Sequence, residues 1–336
     1  MQRARLAQCE VIPLVDRGPS DIRVIWQLIR ICRERKVRIW HAHDDKTNVL
    51  GLLVRCLVPL KLITTTHGWG ANLGVNPWKA FLYKSFSRFA LRHYHQSIAV
   101  SPNLFEILQQ WGIPAKRRVL IENAIDTQEY RRELTTLEAR QRIGVPMDGI
   151  LLAALGRLSP EKGFIQLIEA LRVVRDRGHA VRLVIGGEGS LRNDLTATID
   201  RLKLNEYVTL LGHITDPRAM LQAADIFVLS SLNEGLPNVV LEAMALETTV
   251  VSTDLPGVKR VIRTEEHGLL VEQGNQSLMV DALCRLSLDS DLRRRLAKSA
   301  RARIESQYDF GIRMQKVANL YDHVMGVSSL TNINRL

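Results

Sequence analysis

The second half of the chain alternates short strand patterns with helical patterns in a regular order. Apolar runs rich in β-branched residues occur at 150–156, 181–187, 207–212, 225–230, 249–253 and 268–271. Segments with helical spacing, such as 163–176 and 191–202, separate them. Continuously apolar strands that alternate with helices are typical of a parallel sheet covered on both faces. We therefore predict an α/β fold with a doubly wound parallel sheet.

The first part of the chain shows the same alternation less regularly. Strand patterns lie at 9–14, 37–43, 61–68, 96–101 and 117–125. We place a first Rossmann-like domain at 1–125 and a second at 126–307, a division that 336 residues can support. Residues 308–336 hold a helical pattern that could cross back to the first domain. Two facing domains of this class imply a cleft with ligands at the carboxyl ends of the strands.

The net charge of +11 is confined to the first third of the chain. Residues 1–124 hold 19 Lys/Arg and 8 Asp/Glu, whereas residues 125–336 hold 27 of each, and 51–105 contain no acid. A one-sided basic domain suggests an anionic partner: nucleic acid, acidic lipid headgroups or a phosphorylated acceptor. A basic surface that serves only solubility is the alternative.

The cysteines and the hydropathy pattern exclude several classes of protein. The four cysteines lie far apart without a CxxC pair, so we predict no metal site and reduced thiols in the cytoplasm. The most apolar stretch, 49–63, is broken by Arg55 and Lys61 and is too short to span a bilayer, and no signal peptide is evident. We expect a cytoplasmic protein that could act at the inner face of the membrane.

Two loops after predicted strands carry groups suited to a diphosphate. In "GRLSPEKGF" (156–164), Arg157 and Lys162 flank a tight turn. Arginine forks onto two phosphate oxygens and lysine acts as a point charge. In "IGGEGSL" (185–191), Gly186 and Gly187 allow a close backbone approach. Either loop alone could be an ordinary surface turn.

A third loop carries two glutamates. In "SLNEGLPNVVLEAMA" (231–245), Pro237 suits the first turn of a helix whose N-terminus offers free N–H groups to an anion. Glu234 precedes this terminus and Glu242 follows it. Carboxylates repel phosphate, so we expect them to accept hydroxyls at either end of a sugar nucleotide. The alternatives are an acid and base pair of a glycosidase and ordinary surface acids.

These motifs together resemble the retaining nucleotide-sugar glycosyltransferases of the family 4 type, which have the GT-B architecture. The resemblance covers about 150–272 and includes "LLGHITDPRAMLQAADIFVLSSLNEGLPNVVLEAMA" and "VVSTDLPGVKRVI". It implies that Glu234 contacts the transferred sugar, that Glu242 contacts the ribose, and that Arg157 and Lys162 contact the diphosphate. It assigns the remaining donor-binding positions to Gly186, Gly187, Gly235, Leu236, Pro237 and Asn238.

The first domain resembles the family more loosely. "RIWHAHD" and "TTTHGW" match two strand ends that carry histidine, and His67 matches a position near the reacting sugar. His41 and His43 are weaker candidates. Ala124 stands where the family usually has glycine. Family members usually open with an earlier strand and a Gly-rich loop, and Met1 begins downstream of both. We therefore expect either a truncated or misplaced start, or a first sheet that lacks an edge element and part of its active site.

A basic aromatic segment, 76–95, follows the second histidine motif. On a helix, Lys84, Arg88 and Arg92 form one stripe and Leu82, Phe86 and Phe89 another. Such a helix suits the surface of an anionic membrane, and an ordinary amphipathic helix packed on a sheet is the alternative. No nucleic-acid-binding module is evident, so we expect no nucleic-acid partner.

The resemblance implies an enzyme that moves a sugar from a nucleotide diphosphate sugar to a glycan or lipid-linked acceptor in cell-envelope, exopolysaccharide or lipopolysaccharide biosynthesis. The donor is the only cofactor-like molecule expected, a UDP-sugar first and a GDP-sugar second. Two other readings stay open. One is a sugar-nucleotide epimerase, and the other is a non-catalytic sugar-nucleotide-binding or partner subunit.

Overall fold

The computed structural model describes residues 10–14, 21–67 and 77–327, which fall into two compact units. Among the described residues, the first unit takes in those up to Val100, Leu104–Leu120 and residues 319–327. The second takes in Ser101–Asn103 and Ile121–Ala318. The change of unit at Leu120 lies five residues before the boundary that the sequence predicts.

The first unit contains a parallel sheet in the order β1-β2-β3-β4. Its strands are β1 (Ile39–Ala42), β2 (Lys61–Thr66), β3 (Gln96–Ala99) and β4 (Arg118–Leu120). The helices in this part of the chain are α1 (Ile22–Glu34), α2 (Asp45–Arg55), α3 (Pro77–Arg92) and α4 (Pro102–Gln110). Strands β1, β2 and β3 are therefore each followed by a crossover helix, as the alternating pattern predicts.

Local signals in the sequence set where these elements begin. Asp44 and Thr47 form a capping box at the start of α2, and Asp21 caps α1. The strand predicted at 9–14 is wrong where the structure describes it, because residues 10–14 form no strand. Pro13 lies within this run and has no N–H to give to a strand ladder.

The second unit contains six parallel strands in the order β10-β9-β8-β5-β6-β7. They are β5 (Ile150–Leu155), β6 (Val181–Gly186), β7 (Val208–Gly212), β8 (Ile226–Leu229), β9 (Thr249–Thr253) and β10 (Leu269–Val271). Its helices are α5 (Thr136–Ile143), α6 (Phe164–Asp176), α7 (Arg192–Arg201), α8 (Pro217–Ala223), α9 (Asn238–Ala245), α10 (Pro256–Val261), α11 (Gln276–Leu288) and α12 (Ser290–Gln307). A last helix, α13 (Phe310–Met325), runs from this unit's chain into residues of the first. All six predicted strands are present.

The order of this sheet reverses beside β5. The chain goes from β5 outward to β6 and β7, then returns to place β8, β9 and β10 on the other side. Strands β5 and β8 pair at Leu152 with Ile226 and at Ala153 with Phe227. Loops that leave neighbouring strands in opposite directions open a crevice at the carboxyl edge, which is where ligands bind in such sheets.

A buried arginine fastens α5 to the sheet. Arg140 is 3% exposed, and its guanidinium donates to three backbone carbonyls and, at 2.5 Å, to Asp225 Oδ2. The same carboxylate oxygen accepts the Leu151 N–H at 2.8 Å. One ion pair thus ties α5, the start of β5 and the start of β8 together. Among the helices within the described ranges, none has the length and apolar character needed to cross a membrane.

We predict that Arg140→Met destabilises the second unit by about 3 kcal/mol, because it leaves the Asp225 carboxylate half-buried without its cation. Urea unfolding followed by circular dichroism measures this loss. Arg294→Met is the matched control, since Arg294 pairs with Asp291 on an exposed face of α12. Equal unfolding midpoints for the two variants would show that the Arg140 ion pair does not hold α5.

Candidate active site

The loops that leave β5 and β8 bring a lysine and a glutamate together. Lys162 ends a 3-10 turn after β5, and Glu234 lies in the loop after β8. Lys162 Nζ is 2.5 Å from Glu234 Oε1, and the two side chains are 19% and 16% exposed. Ser231 Oγ donates to the same oxygen at 3.0 Å. Two residues that the sequence separates by 72 positions therefore form one charged pair at the crevice.

Further hydrogen bonds tie the two loops to each other. The Leu232 N–H donates to the Glu161 carbonyl at 2.7 Å. Ser230 Oγ donates to the Lys162 carbonyl at 2.8 Å. Thr253 Oγ1, at the end of β9, donates to the Ser231 carbonyl at 2.6 Å. Lys162 and Glu234 are consequently held by backbone contacts as well as by their own charges.

Arg157 occupies a more open position than Lys162. Its side chain is 62% exposed and donates to Glu161 Oε1 at 3.1 Å. The Lys162 side chain instead lies over Gly156, where an added Cβ would come within 3.3 Å of Lys162 Cε. The structure thus places the two predicted cations on the same loop, one at the crevice and one at its rim.

The Gly-rich loop after β6 packs against the loop after β5. Gly186 ends β6, and Gly187 has a φ of +139°. A Cβ on Gly187 would lie 1.8 Å from the Gly156 carbonyl oxygen. The close approach that the sequence predicts here is therefore made, at Gly187, by the protein's own backbone.

The helix α9 begins at Asn238 without a side-chain cap, because its N-cap residue is Pro237. The Val240 N–H turns back to the Pro237 carbonyl at 3.1 Å. Uncapped N–H groups and the helix dipole make such a terminus attractive to anions. Leu236 buries its side chain in the core, at 7% exposed, so only its backbone faces this terminus. Asn238 Oδ1 accepts a hydrogen bond from Asn123 Nδ2 at 3.1 Å.

Glu242 lies half-buried within α9 and is hydrogen-bonded to Tyr130. Burial raises the pKa of this carboxyl above its ordinary value, the Tyr130 hydrogen bond opposes the rise, and the charge of Glu129 adds to it. A buried carboxylate that accepts a phenolic hydroxyl has the chemistry needed to accept a sugar hydroxyl.

In the first unit, His41 is held at both ring nitrogens. A 2.6 Å hydrogen bond joins His41 Nδ1 to Tyr321 Oη, and a 2.8 Å hydrogen bond joins His41 Nε2 to Thr65 Oγ1. Both nitrogens are therefore occupied by the protein, which gives His41 a supporting position.

His43 and His67 continue a stack that starts at His41. The His41 and His43 ring centroids are 4.5 Å apart, and those of His43 and His67 are 5.5 Å apart, each with interplanar angles of 25°. His43 Nδ1 lies 3.2 Å from His67 Nε2. The structure thus places the predicted His67 at the exposed end of a three-ring stack. Within the described ranges, no three His, Cys, Asp or Glu side chains come together as metal ligands.

Comparison with known proteins decides the family. Residues 136–303 match the family model for glycosyl transferases group 1, and residues 3–129 match the model for glycosyltransferase family 4. The chain belongs to the group 1 glycosyl transferases.

Relatives and solved structures agree with this glycosyltransferase assignment. The UDP-Gal:alpha-D-GlcNAc-diphosphoundecaprenol alpha-1,3-galactosyltransferase of Escherichia coli is 25% identical over 93% of this chain and 81% of its own. The capsular polysaccharide biosynthesis glycosyltransferase CapM of Staphylococcus aureus is 23% identical over 90% and 81%. Anabaena Alr3699/HepE, solved with UDP and glucose, superposes with a TM-score of 0.81 at 20% identity over 96% of this chain and 88% of its own. The fold is GT-B, with two Rossmann-like parallel-sheet units.

The structure adds residues to this candidate site that the sequence did not single out. Ser231 and Tyr130 bond the two glutamates, and neither has a spacing that would reveal this. Gly257, the second residue of α10, packs against the Gly235 carbonyl oxygen, 1.5 Å from where its Cβ would be. Gly257 belongs to the run "DLPGVKRVI" that carries part of the family resemblance. The sequence thus marked this position, but only the structure shows the contact with Gly235.

We predict that Glu242→Gln stabilises this glycosyltransferase at neutral pH and not in acid. The raised pKa means that the folded state binds a proton more readily than the unfolded state, so stability falls as pH rises from the ordinary glutamate pKa through the raised one. Glutamine removes that loss and keeps an acceptor for Tyr130. Urea unfolding at pH 4 and pH 8 should show a gain only at pH 8, and an equal gain at both would contradict the burial effect.

We also predict that Gly257→Ala displaces the Gly235 loop. The methyl group has no room beside the Gly235 carbonyl, so the loop must shift or the unit must lose a few kcal/mol of stability. Gly274→Ala is the control, because nothing lies within 4 Å of its Cβ and only its φ of +79° carries a cost, of about 1 kcal/mol. Thermal unfolding that ranks the two variants equally would contradict the steric reading.

Proposed function

We propose that this glycosyltransferase moves a hexosyl group from a UDP-sugar to a lipid-linked glycan acceptor, with retention of configuration, in cell-envelope polysaccharide biosynthesis. The observation that carries the proposal is the Lys162–Glu234 pair beside the uncapped start of α9. The names of the Escherichia coli and Staphylococcus aureus relatives support the donor, the lipid-linked acceptor and the pathway. A GDP-sugar is the second candidate donor.

The diphosphate is assigned to Lys162, Arg157 and the α9 N-terminus. Lysine, arginine and helix N–H groups at the crevice together oppose the charge that grows on the diphosphate as it leaves. Lys162 shares its charge with Glu234 before the donor arrives, so both side chains are already oriented at the crevice. Gly186, Gly187, Gly235 and the backbone of Leu236 to Asn238 complete the proposed cradle.

The two glutamates are assigned to the two ends of the donor. Glu234 accepts a hydroxyl of the transferred sugar, and it gains capacity to do so as Lys162 turns toward the incoming phosphate. Glu242 accepts the ribose hydroxyls in place of, or together with, the Tyr130 hydroxyl that it already binds. A carboxylate with a raised pKa at this position lowers the stability of the folded state at neutral pH and strengthens the binding of hydroxyls. Such a loss of stability in favour of function is common at functional sites.

His67 is the proposed catalytic residue of the first unit. Its Nε2 bonds His43, so the imidazole plane is set by the stack, and its exposed ring is assigned to the sugar. Retention proceeds in this proposal through an oxocarbenium-like transition state, and no side chain is assigned as a nucleophile.

Binding of UDP and of UDP-sugars, measured by calorimetry on matched variants, tests these assignments. We expect Lys162→Met to weaken UDP by about tenfold to a hundredfold, as expected for a lost charge-assisted contact. Glu234→Gln should bind UDP as tightly as the parent and UDP-sugar more weakly, because Glu234 is assigned to the sugar. Glu242→Gln should weaken both ligands.

Lys298→Met, on an exposed face of α12, is the control for removal of a lysine. Equal UDP affinities for Lys162→Met and Lys298→Met would sink the diphosphate assignment. Conversion of the donor sugar without any acceptor would favour an epimerase. Donor binding without turnover on any lipid-linked acceptor would favour a non-catalytic binding or partner subunit.

A further inference from the structure

An apolar groove of about 580 Å³ lies between α2 and α3 of the first unit. Leu53 and Cys56 line it from the α2 side, and Phe86 and Phe89 line it from α3. Phe86 is 62% exposed and Phe89 is 59% exposed, so both rings are left outside the core. Leu57, beside the groove in sequence, is 51% exposed. Several large exposed apolar side chains around one groove indicate a contact surface.

The sequence left open an ordinary amphipathic helix whose aromatic residues pack on the sheet. That alternative is wrong for Phe86 and Phe89. The buried residues at the end of α3 are Ser87, Ala90 and Leu91, so the small and aliphatic side chains face inward. The side chains of Lys79, Phe81, Leu82, Tyr83 and Lys84 lie outside the described residues. The exposed stripe that the structure does describe is therefore Phe86 and Phe89.

The two helices that line this groove carry arginines that form no ion pair with a carboxylate in the described residues. Arg55 lines the groove and donates to the His93 carbonyl at 3.0 Å. Arg88 and Arg92 each donate from Nε to the Trp111 carbonyl at 3.2 Å. In the part of the chain that the structure describes, carbonyls are the hydrogen-bond partners of these arginines and no carboxylate pairs with them. The sequence has no Asp or Glu between Asp45 and Glu106, and Asp45, at the start of α2, accepts a hydrogen bond from Ser87 Oγ at 2.6 Å.

The pKa of His95, two residues after the groove residue His93, reflects the positive charges nearby. Burial first, and then the charges of Arg55, Lys61 and Arg117, lower the pKa of His95 to about 4. His95 Nδ1 also accepts the Leu62 N–H at 2.9 Å, which fixes the ring within the positive cluster. Three basic residues thus act together at the end of α3 where Arg55 joins the groove.

We propose that the α2/α3 groove docks on an anionic phospholipid bilayer, with Phe86, Phe89, Leu53 and Leu57 among the lipid chains and Arg55, Lys61 and Arg117 at the headgroup phosphates. Charge complementarity selects this occupant, because an apolar groove lined by Arg55, in a stretch of sequence without acids from 51 to 105, matches a surface that is apolar inside and anionic at its face. The proposal sharpens the membrane contact expected of 76–95 and is independent of the donor assignment.

Flotation of the full chain with vesicles tests the proposal. We expect binding to vesicles of equal phosphatidylglycerol and phosphatidylcholine, and at least tenfold weaker binding to phosphatidylcholine alone. Salt at about 0.5 M shortens the electrostatic screening length to below about 5 Å. We therefore expect it to reduce binding to the vesicles that contain phosphatidylglycerol.

Two matched pairs of variants separate the apolar and the charged contributions. Phe86→Ser with Phe89→Ser should lose at least tenfold in vesicle binding, whereas Leu137→Ser with Leu288→Ser, at exposed sites of the second unit, should lose none. Arg55→Gln with Lys61→Gln should lose about fivefold per residue on anionic vesicles only. Arg294→Gln with Lys298→Gln on α12 removes the same charge and should change nothing.

The native thiol Cys56 gives a measurement that needs no substitution of the phenylalanines or of the basic residues. An environment-sensitive dye on Cys56, in a chain with Cys9→Ser and Cys284→Ser, should shift to the blue on anionic vesicles and be quenched by doxyl-labelled lipid chains. The same dye on Cys284, in a chain with Cys9→Ser and Cys56→Ser, should do neither. Cys32 is buried at 4% exposed and should stay unlabelled.

Three outcomes would overturn the proposal: wild-type vesicle binding by the double phenylalanine variant, no quenching at Cys56, or a dimer in light scattering that this variant abolishes. The last would assign the groove to a second copy of the chain. UDP affinity of the same samples keeps the two proposals apart. A sample that binds UDP but not vesicles counts against the groove proposal alone. A sample that binds vesicles but not UDP counts against the donor assignment alone.

Discussion

The pairing of β5 with β8 is the constraint on which the second unit of this protein depends. Because the chain leaves β5 toward one edge of the sheet and returns to β8 from the other, the two exit loops diverge and leave a crevice between them. Lys162 and Glu234 reach each other only because these strands are neighbours. The Arg140–Asp225 ion pair lies at the opposite, amino ends of β5 and β8. One ion pair therefore joins the segments before these two strands, and the Lys162–Glu234 pair joins the loops after them.

The charges of the two units serve different purposes. In the second unit, acids and bases balance, and the pairs at the crevice hold functional groups in position before a ligand arrives. In the first unit, Arg55, Arg88 and Arg92 donate to carbonyl oxygens, which accept their hydrogen bonds without cancelling their charge. Arg30 and Arg35, on and beside α1, pair with glutamates instead. The net field therefore survives folding and acts on whatever approaches from outside. The net charge of +11 says where an anion would bind only when the hydrogen-bond partners of the cations are known.

The sequence predicts the second unit more completely than the first for a physical reason. Six strands that are buried on both faces carry continuous apolar runs, and the structure confirms all of them. Residues 10–14 carry a similar run but form no strand, because an apolar stretch with Pro13 lacks a donor where a ladder needs one. Contacts made by long side chains across the sheet were beyond prediction. The Tyr130–Glu242 bond and the Lys162–Glu234 pair join residues more than 70 positions apart, and no periodicity encodes them.

The glycine contacts have a consequence for how proteins of this kind diversify. Gly187 and Gly257 each press against a carbonyl oxygen of another loop, with no space for a single methyl group. Mutation therefore has little freedom to reshape the backbone around the crevice. Any change in what the crevice binds must therefore come from side chains that project beyond this rigid frame, while the backbone beneath them stays the same.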